Sequence, residues 1–390
     1  MSSLLAMRIL MTSNTGAGHI GPMVPFAHAF LRAGHDVLLA APAKAHPTVA
    51  RAGVPFLPIA DPPSDETDKV FESLRGAPQE DQSVRVMREI FAGIDARTSL
   101  PDVLRAVGHY RPDVLLREPT EYAGLLAAER LGVRHGRIAI MAAGTETWGV
   151  PVVAPVLDEH RVRLGLRPDP TGRSIAESAY LTVIPKALED PHDFGPAHAL
   201  RFREPRAEPC PLPVSWNDAS PPLVYVTYGS VTPTMPHFPA LFRDTVAALG
   251  ELPVRALFTV GVEVDVEALG AVPANVRIAP WIPQADVMPH AAAMVGHGGA
   301  GSTRLALAAG VPSVIVPGFA DQFRNAERVA ALGAGLEATP DDLVSAIRQV
   351  LGEPSYREAA ARVAAEVERL PLVDEAPEVL SDWLEAARAA

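Results

Sequence analysis

Two rounds of strand–helix alternation, separated by a proline-dense stretch, constrain this chain more than any other feature. Residues 8–13 form a compact apolar run that ends in a glycine-rich turn, and residues 22–33 carry apolar side chains at helical spacing up to Gly34. A glycine just past a helix end can take the left-handed conformation that closes it. Short buried strands are expected at 37–41, 55–59, 114–116 and 137–141, with a helix over 122–131. From 190 to 222 the pattern breaks, and Pro205, Pro209, Pro211, Pro213, Pro221 and Pro222 crowd its later part. It then restarts, with strands at 223–227, 255–260, 276–279, 294–296 and 313–316 and helices at 238–249, 302–309, 341–351 and 356–370. Strands that alternate with helices predict parallel sheets. A chain of 390 residues exceeds what one hydrophobic core usually supports. The reading is an α/β chain of two Rossmann-like domains facing across a cleft. A first domain covers 1–204, a linker 205–222 and a second domain 223–374, while an amphipathic segment at 375–390 returns to the first. Ligands are expected at the carboxyl ends of the strands.

Charge and composition narrow the function. The formal net charge is −12 with no basic stripe, which argues against nucleic acid as a partner. The single cysteine, Cys210, excludes an internal disulfide framework and a multi-cysteine metal site. The first residues lack the basic flank and long apolar core of a signal peptide, and runs such as 311–316 are too short to span a membrane. A cytoplasmic enzyme without stable membrane association is expected.

Gly16-Ala-Gly18-His-Ile-Gly21 matches the dinucleotide pattern G-x-G-x-x-G between a strand and a helix. That chemistry also wants an acid at the end of the second strand to hold a ribose. Here that end reads Ala40-Ala-Pro-Ala-Lys44, and Asp36 stands at the strand's other end. The motif is therefore set aside as a nicotinamide site. Its glycines still permit a tight turn and close ligand approach, and His19 within it is either a cleft-facing histidine or a helix-terminal one that only touches backbone.

The second half carries a denser constellation. Trp281-Ile-Pro-Gln284 follows a short strand; His297-Gly298-Gly299-Ala-Gly301-Ser302-Thr303 joins a strand to a helix; Asp321-Gln322 comes after the next strand. Small residues before a helix expose backbone N–H groups and the positive dipole end to an anion. A neighbouring carboxylate and amide suit sugar hydroxyls, which donate and accept. A tryptophan face suits a stacked base. Each piece alone is also an ordinary glycine turn, helix cap or core aromatic; their convergence at one sheet edge is what points to a site.

The stretch 281–322 resembles the donor-binding signature of family 1 glycosyltransferases, which have the GT-B fold. The likeness is greatest to bacterial enzymes that decorate macrolides, aromatic polyketides and enediynes. It extends over nearly the whole chain, through Gly16-x-Gly18-His19, Arg111-Pro-Asp-Val…Pro119-Thr-Glu-Tyr-Ala-Gly124 and Tyr228-Gly229-Ser230. The resemblance implies a general base at His19 paired with an acid at Glu118, where aspartate is usual, with Glu121 as the alternative. It implies diphosphate contacts from Ser230, His297, Gly298, Gly299, Gly301, Ser302 and Thr303. Trp281 and Gln284 would serve the base, and Asp321 and Gln322 the sugar. Plant members place a ribose-binding glutamate where this chain has Leu305, which favours a dTDP-sugar over a UDP-sugar.

The implied reaction is an inverting, metal-independent transfer of a sugar or deoxysugar to a hydroxyl of an apolar natural product such as a polyketide. No cofactor and no metal are expected; Asp265-Val-Glu267 is the nearest approach to an Asp-x-Asp motif. The expected partners are the nucleotide sugar and a small-molecule acceptor, with a second copy of the chain as the one protein partner allowed for. Met87, Phe91, Met141 and Trp148 are read as acceptor contacts, in segments 61–97 and 142–163 that read as irregular. The rivals are another GT-B enzyme using a UDP-sugar and a non-catalytic auxiliary of a glycosyltransferase.

Overall fold

The computed structural model describes residues 6–192, 196, 199–205, 221–229, 238–262 and 264–389. The chain divides into two compact units. Unit 1 comprises Met1–Ile184, Asp190–Glu204 and Pro371–Ala390, and unit 2 comprises Pro185–Glu189 and Pro205–Leu370. Most of the expected linker at 205–222, together with Cys210 and Ser230, lies outside the described residues.

Among the described residues, unit 1 is built on seven strands: β1 (Arg8–Thr12), β2 (Asp36–Pro42), β3 (Phe56–Ile59), β4 (Val114–Arg117), β5 (Arg134–Ile138), β6 (Ala179–Thr182) and β7 (Leu200–Arg201). They lie in the order β3-β2-β1-β4-β5-β6-β7 with parallel pairing throughout. Both faces are covered. Ile9, Met11, Val37, Leu39, Val114 and Leu116 pack into one core, while Leu10, Ala40 and Leu115 pack into another. A strand buried on both sides reads as an unbroken apolar run, as β1 does. The helix Val24–Arg32 ends as expected: Gly34 has φ 86°, its N–H donates to the Leu31 carbonyl, and the His35 N–H donates to that of Phe30.

Unit 2 repeats the plan with six described strands: β8 (Leu223–Thr227), β9 (Arg255–Thr259), β10 (Val276–Ala279), β11 (Ala293–Gly296), β12 (Ser313–Ile315) and β13 (Gly335–Glu337). Their order is β10-β9-β8-β11-β12-β13, again parallel. Val224, Val226 and Val295 face one core, and Leu223, Tyr225 and Met294 the other. Among the described residues no helix is long and apolar enough to cross a membrane.

Three expectations need correction. The fifth strand starts at Arg134, not 137, and ends at Ile138, not Met141. Arg134 and His135 hid its start; Arg137, where the expected strand began, is buried with Glu146 paired to it at 2.7 Å and the Tyr180 ring 5.1 Å away. The segments read as irregular are helical, at Ser64–Ser73, Gln79–Arg85, Val86–Asp95 and Ala143–Arg163. Pro151 and Pro155 lie inside the last of these, and its apolar residues follow no single face, so the pattern concealed it. The boundary expected after 374 falls after Leu370. The Arg203 N–H donates to the Pro371 carbonyl, the Val373 N–H donates to that of Arg203, and Val373, Ala376, Leu380 and Leu384 are buried in the unit 1 core. Pro185–Glu189 group instead with unit 2, where the Ala187 carbonyl accepts from Arg328 Nη2 at 2.8 Å.

Candidate active site

In unit 1, β1 and β4 are neighbours, so the turns that follow them emerge at one edge. The first turn leads through Gly16, at φ 120°, into the short helix Ala17–Ile20 that carries His19. The second begins at Glu118, which is fully buried. Nδ1 of His19 lies 3.1 Å from Glu118 Oε1. The second carboxylate oxygen accepts the Thr120 N–H at 2.6 Å, and the Thr120 hydroxyl lies 2.8 and 2.9 Å from the two oxygens. Burial pushes the Glu118 carboxyl up, but His19 beside it and the hydrogen bonds from His19 and Thr120 hold it below its ordinary value. An ionised carboxylate only accepts, so Nδ1 of His19 carries the proton and Nε2 the ring's lone pair.

Of the two acids read from the sequence, Glu118 rather than Glu121 is set against His19. Glu121 Oε2 accepts the Thr12 hydroxyl at 2.5 Å, and both its oxygens lie 3.0 Å from the Gly124 N–H. Burial pushes its carboxyl up to about 7 against those hydrogen bonds. A Cβ at Gly124 would collide with Thr12 Oγ1 and with Glu121 itself, so a glycine is required there. Beneath the turn, the fully buried Arg117 donates through Nη1 to the carbonyls of Glu118 (3.1 Å) and Pro119 (2.8 Å). Asn14 Nδ2 lies 3.1 Å from both the carbonyl and the hydroxyl of Thr120. Arg117, Thr120 and Asn14 had no role assigned from the sequence; the position of Thr120 two residues after the acid was the available signal.

The four residues read as acceptor contacts are all half-buried. Phe91 sets its ring edge-on to His19, with centroids 5.5 Å apart at 65°. Met87 packs beside Gly149, where an added Cβ would stand 2.8 Å from Met87 Cε. Trp148 is on the same helix as Gly149, and Met141 precedes that helix in the turn after β5.

In unit 2, the described sequence-predicted residues follow the carboxyl ends of β10, β11 and β12. His297 is held between two glycines: a Cβ at Gly229 would stand 2.8 Å from its ring, and one at Gly299 would collide with Nε2. Burial pushes the His297 imidazole down to about 4, with the Thr227 carbonyl opposing, so the ring is neutral at pH 7. Gly299 caps the helix Ala300–Ala308, and Ser302 and Thr303 lie buried in its first turn while Gly301 is exposed. Gln284 Nε2 donates to Ser302 Oγ at 3.4 Å, and Trp281 is 56% exposed. Gln322 Oε1 accepts the N–H groups of Gly318 and Phe319 at 2.8 and 3.1 Å, so its carbonyl oxygen fixes the loop. Asp321 Oδ2 accepts from Asn325 Nδ2 at 2.9 Å, and the same amide donates to the Gly298 carbonyl at 2.8 Å. Asn325 thus ties the two loops together; its place four residues beyond Asp321, one helical turn, was the signal for it. His297, Phe319 and Gln322 line a cavity of about 250 Å³. Among the described residues no three His, Cys, Asp or Glu side chains converge as metal ligands.

A histidine–carboxylate pair at one sheet edge and a glycine-rich loop opening a helix at another are parts that a group-transfer enzyme can use. Comparison with known proteins agrees. Residues 244–382 match the family model described as erythromycin biosynthesis protein CIII-like, C-terminal domain. The chain is 36% identical to L-demethylnoviosyl transferase of Streptomyces niveus over 97% of its own length and 98% of that protein's. It superposes on the crystal structure of the glycosyltransferase SnogD from Streptomyces nogalater with a TM-score of 0.79 at 28% identity, covering 97% of this chain and 100% of that one. The Streptomyces sp. SF2575 glycosyltransferase SsfS6, solved with thymidine diphosphate, gives a TM-score of 0.75 at 26% identity over 96% of this chain and 99% of that one. The chain belongs to the family 1, GT-B glycosyltransferases of antibiotic biosynthesis, and it is a glycosyltransferase.

Proposed function

We propose that the enzyme transfers a sugar from a dTDP-sugar to a hydroxyl of an apolar natural-product acceptor, inverting the anomeric centre without a metal. The observation that carries the reading is the His19–Glu118 pair at 3.1 Å. With Nδ1–H engaged by Glu118, His19 Nε2 takes the proton of the acceptor hydroxyl while its oxygen attacks the anomeric carbon. The bond from that carbon to the diphosphate oxygen breaks in the same displacement. Glu118 stabilises the imidazolium that forms. The half-buried Phe91, Met87, Met141 and Trp148 offer the acceptor an apolar surface in unit 1.

Unit 2 serves the donor. The departing diphosphate gains charge where backbone N–H groups of the helix Ala300–Ala308 open, beside His297. The neutral ring of His297 donates to a phosphate oxygen, Trp281 stacks on the base and Asp321 holds a sugar hydroxyl. Two observations support dTDP over UDP: a relative was solved with thymidine diphosphate, and Leu305 has no polar atom for a ribose hydroxyl. The test is incubation with a dTDP-sugar and a UDP-sugar across a panel of polyketide and aromatic hydroxyl acceptors, with and without EDTA. dTDP release, product formation that survives EDTA and an inverted anomeric centre by NMR are expected. Faster turnover of the UDP-sugar, loss of activity in EDTA or a retained configuration would each remove the corresponding part of the reading.

A further inference from the structure

Three carboxyl groups are buried around His19, and the protein uses only two of them. Glu118 accepts from His19 and Thr120, and Glu121 from Thr12 and the Gly124 N–H. The third is Asp95, 8% exposed; it has no protein donor among the hydrogen bonds of the described residues, and its oxygens are not sealed from solvent. A nearly buried carboxyl that no protein donor engages, and whose oxygens still reach open space, calls for an explanation. Its setting supplies one. Asp95 ends the stretch Val86–Asp95, which winds wider than an α-helix; the Ala96 N–H reaches back to the Phe91 carbonyl. Such windings are rare and gather at functional sites. Phe91, about one turn before Asp95, is the residue whose ring edge meets His19. Asp95 therefore shares a helix with the apolar wall of the base.

We propose that Asp95 is a further acceptor-binding residue, whose carboxyl hydrogen-bonds an O–H or N–H group of the acceptor beside the hydroxyl that His19 deprotonates. The proposal rests on the reading of His19 as the base. It specifies the acceptor's chemistry: a flat apolar body against Phe91 and Met87, with a second polar hydrogen next to the reacting hydroxyl. Burial holds the Asp95 carboxyl up at about 7; His19 draws it down, and Glu118 and Glu121 push it higher. Near neutral pH both of its forms are populated, so it can accept from a neighbouring hydroxyl or donate to it.

The probes are 2-naphthol and 2,3-dihydroxynaphthalene, which differ by that one neighbouring hydroxyl. Their binding to the full chain is measured by calorimetry without any sugar donor. The wild type should prefer the diol by roughly tenfold or more, the worth of a hydrogen bond to a charged or partly charged group. The preference should vanish in Asp95→Ala and shrink in Asp95→Asn, which keeps the shape and carries the test if the alanine variant fails to fold. It should persist in His19→Ala. Equal binding of the two probes by the wild type, absence of binding by either, or a preference that survives Asp95→Ala would overturn the proposal. So would an unchanged preference with a displaced NMR titration of His19, which would make Asp95 a partner of the base instead. These measurements need no turnover, so sugar transfer that proceeds without any Asp95-dependent preference sinks this inference and leaves the proposed reaction standing.

Discussion

The two units present ligands with opposite kinds of surface. The edge of unit 1 is made of side chains: His19, Glu118, Thr120 and Asn14 hold one another through hydrogen bonds of 2.8 to 3.3 Å, and Glu121 holds Thr12 at 2.5 Å. The edge of unit 2 is made of backbone, with Gly229 and Gly299 leaving room for one imidazole and Gly298 letting its loop close on Ile315 and Gln322. The difference follows from the work proposed for each. Moving a proton requires a side chain of suitable basicity with a fixed tautomer, and fixing it takes buried partners. Holding a diphosphate requires many weak donors at close range, which glycines and a helix N-terminus supply. Substitutions should therefore fail differently: chemistry should suffer in unit 1, and binding in unit 2.

The sharpest break of that contrast is His19→Ala. Turnover should drop by roughly 10²–10⁴-fold, the usual worth of a general base, while the donor KM stays unchanged. A variant that keeps wild-type turnover, or one that loses donor affinity as well, would end the division of labour. Glu118→Gln keeps the shape and removes the charge. We expect a loss of about 10–10²-fold, because His19 keeps a neighbour but loses its counter-charge and its tautomer preference. Stopped-flow turnover across pH would read both variants.

Acid should also separate the two edges. The folded Glu118 carboxyl sits below its ordinary 4.5, so its stabilisation is complete above that value and is lost as pH falls through the folded one. The His297 imidazole, ordinarily 6.5, is lowered to about 4, so the folded state is favoured fully above 6.5 and progressively less down to 4. In paired denaturant melts between pH 6.5 and 4, His297→Gln should remove the share of acid destabilisation that His297 contributes; Asp95 and Glu121, held up at about 7, act in the opposite direction in both proteins. His135, also lowered to about 4, should keep its own share in both. An identical slope in wild type and variant would show that His297 is not held neutral.

Within unit 2, two substitutions divide the nucleotide from the sugar. His297→Ala should weaken dTDP and the dTDP-sugar alike, by roughly tenfold, since the contact proposed is to the diphosphate. Asp321→Ala should weaken the sugar nucleotide by a similar factor and leave free dTDP nearly unchanged. Calorimetric titration of both ligands decides the matter, and equal losses in the Asp321 variant would remove its sugar contact.

The contrast also explains what could be read from the sequence. Backbone-built features are written locally. Gly34 closes its helix, the glycines at 229 and 299 sit where the ring of His297 needs them, and the apolar runs of β1 and β8 fall where expected. Networks of side chains are written across the chain. Arg134 and His135 make the start of β5 look too polar for a strand, and only their pairing with Val114 and Leu115 of β4 places them in the sheet. The role of Asp95 depends on neighbours near positions 19 and 118, and nothing in its own segment announces it. Pro151 and Pro155 concealed the helix Ala143–Arg163 because proline is read as a breaker, whereas packing on several sides sustains that helix.

The smallest effect expected concerns the ribose, and it tests whether the backbone edge of unit 2 carries any side-chain selectivity. Leu305 is half-buried against a cluster that includes Tyr225, Met288 and Ile282, so it offers no partner to a 2′-hydroxyl. A hydroxyl desolvated without a partner typically costs about 1–3 kcal/mol, and a partly hydrated one less. UDP should therefore bind more weakly than dUDP, by roughly fivefold. The comparison with dUDP is needed because the thymine methyl of dTDP adds apolar contact of its own. Leu305→Glu restores a carboxylate at the start of the ribose problem, at the cost of placing it beside apolar neighbours. Its fold is checked first by circular dichroism and by retained dTDP binding. If the helix aims that carboxylate at the ribose, competition with dTDP, dUDP and UDP should shift towards UDP. Should UDP equal dUDP on the unmodified protein, Leu305 has no part in nucleotide choice. Any preference for dTDP would then come from the base, and Trp281 would be the next residue to replace.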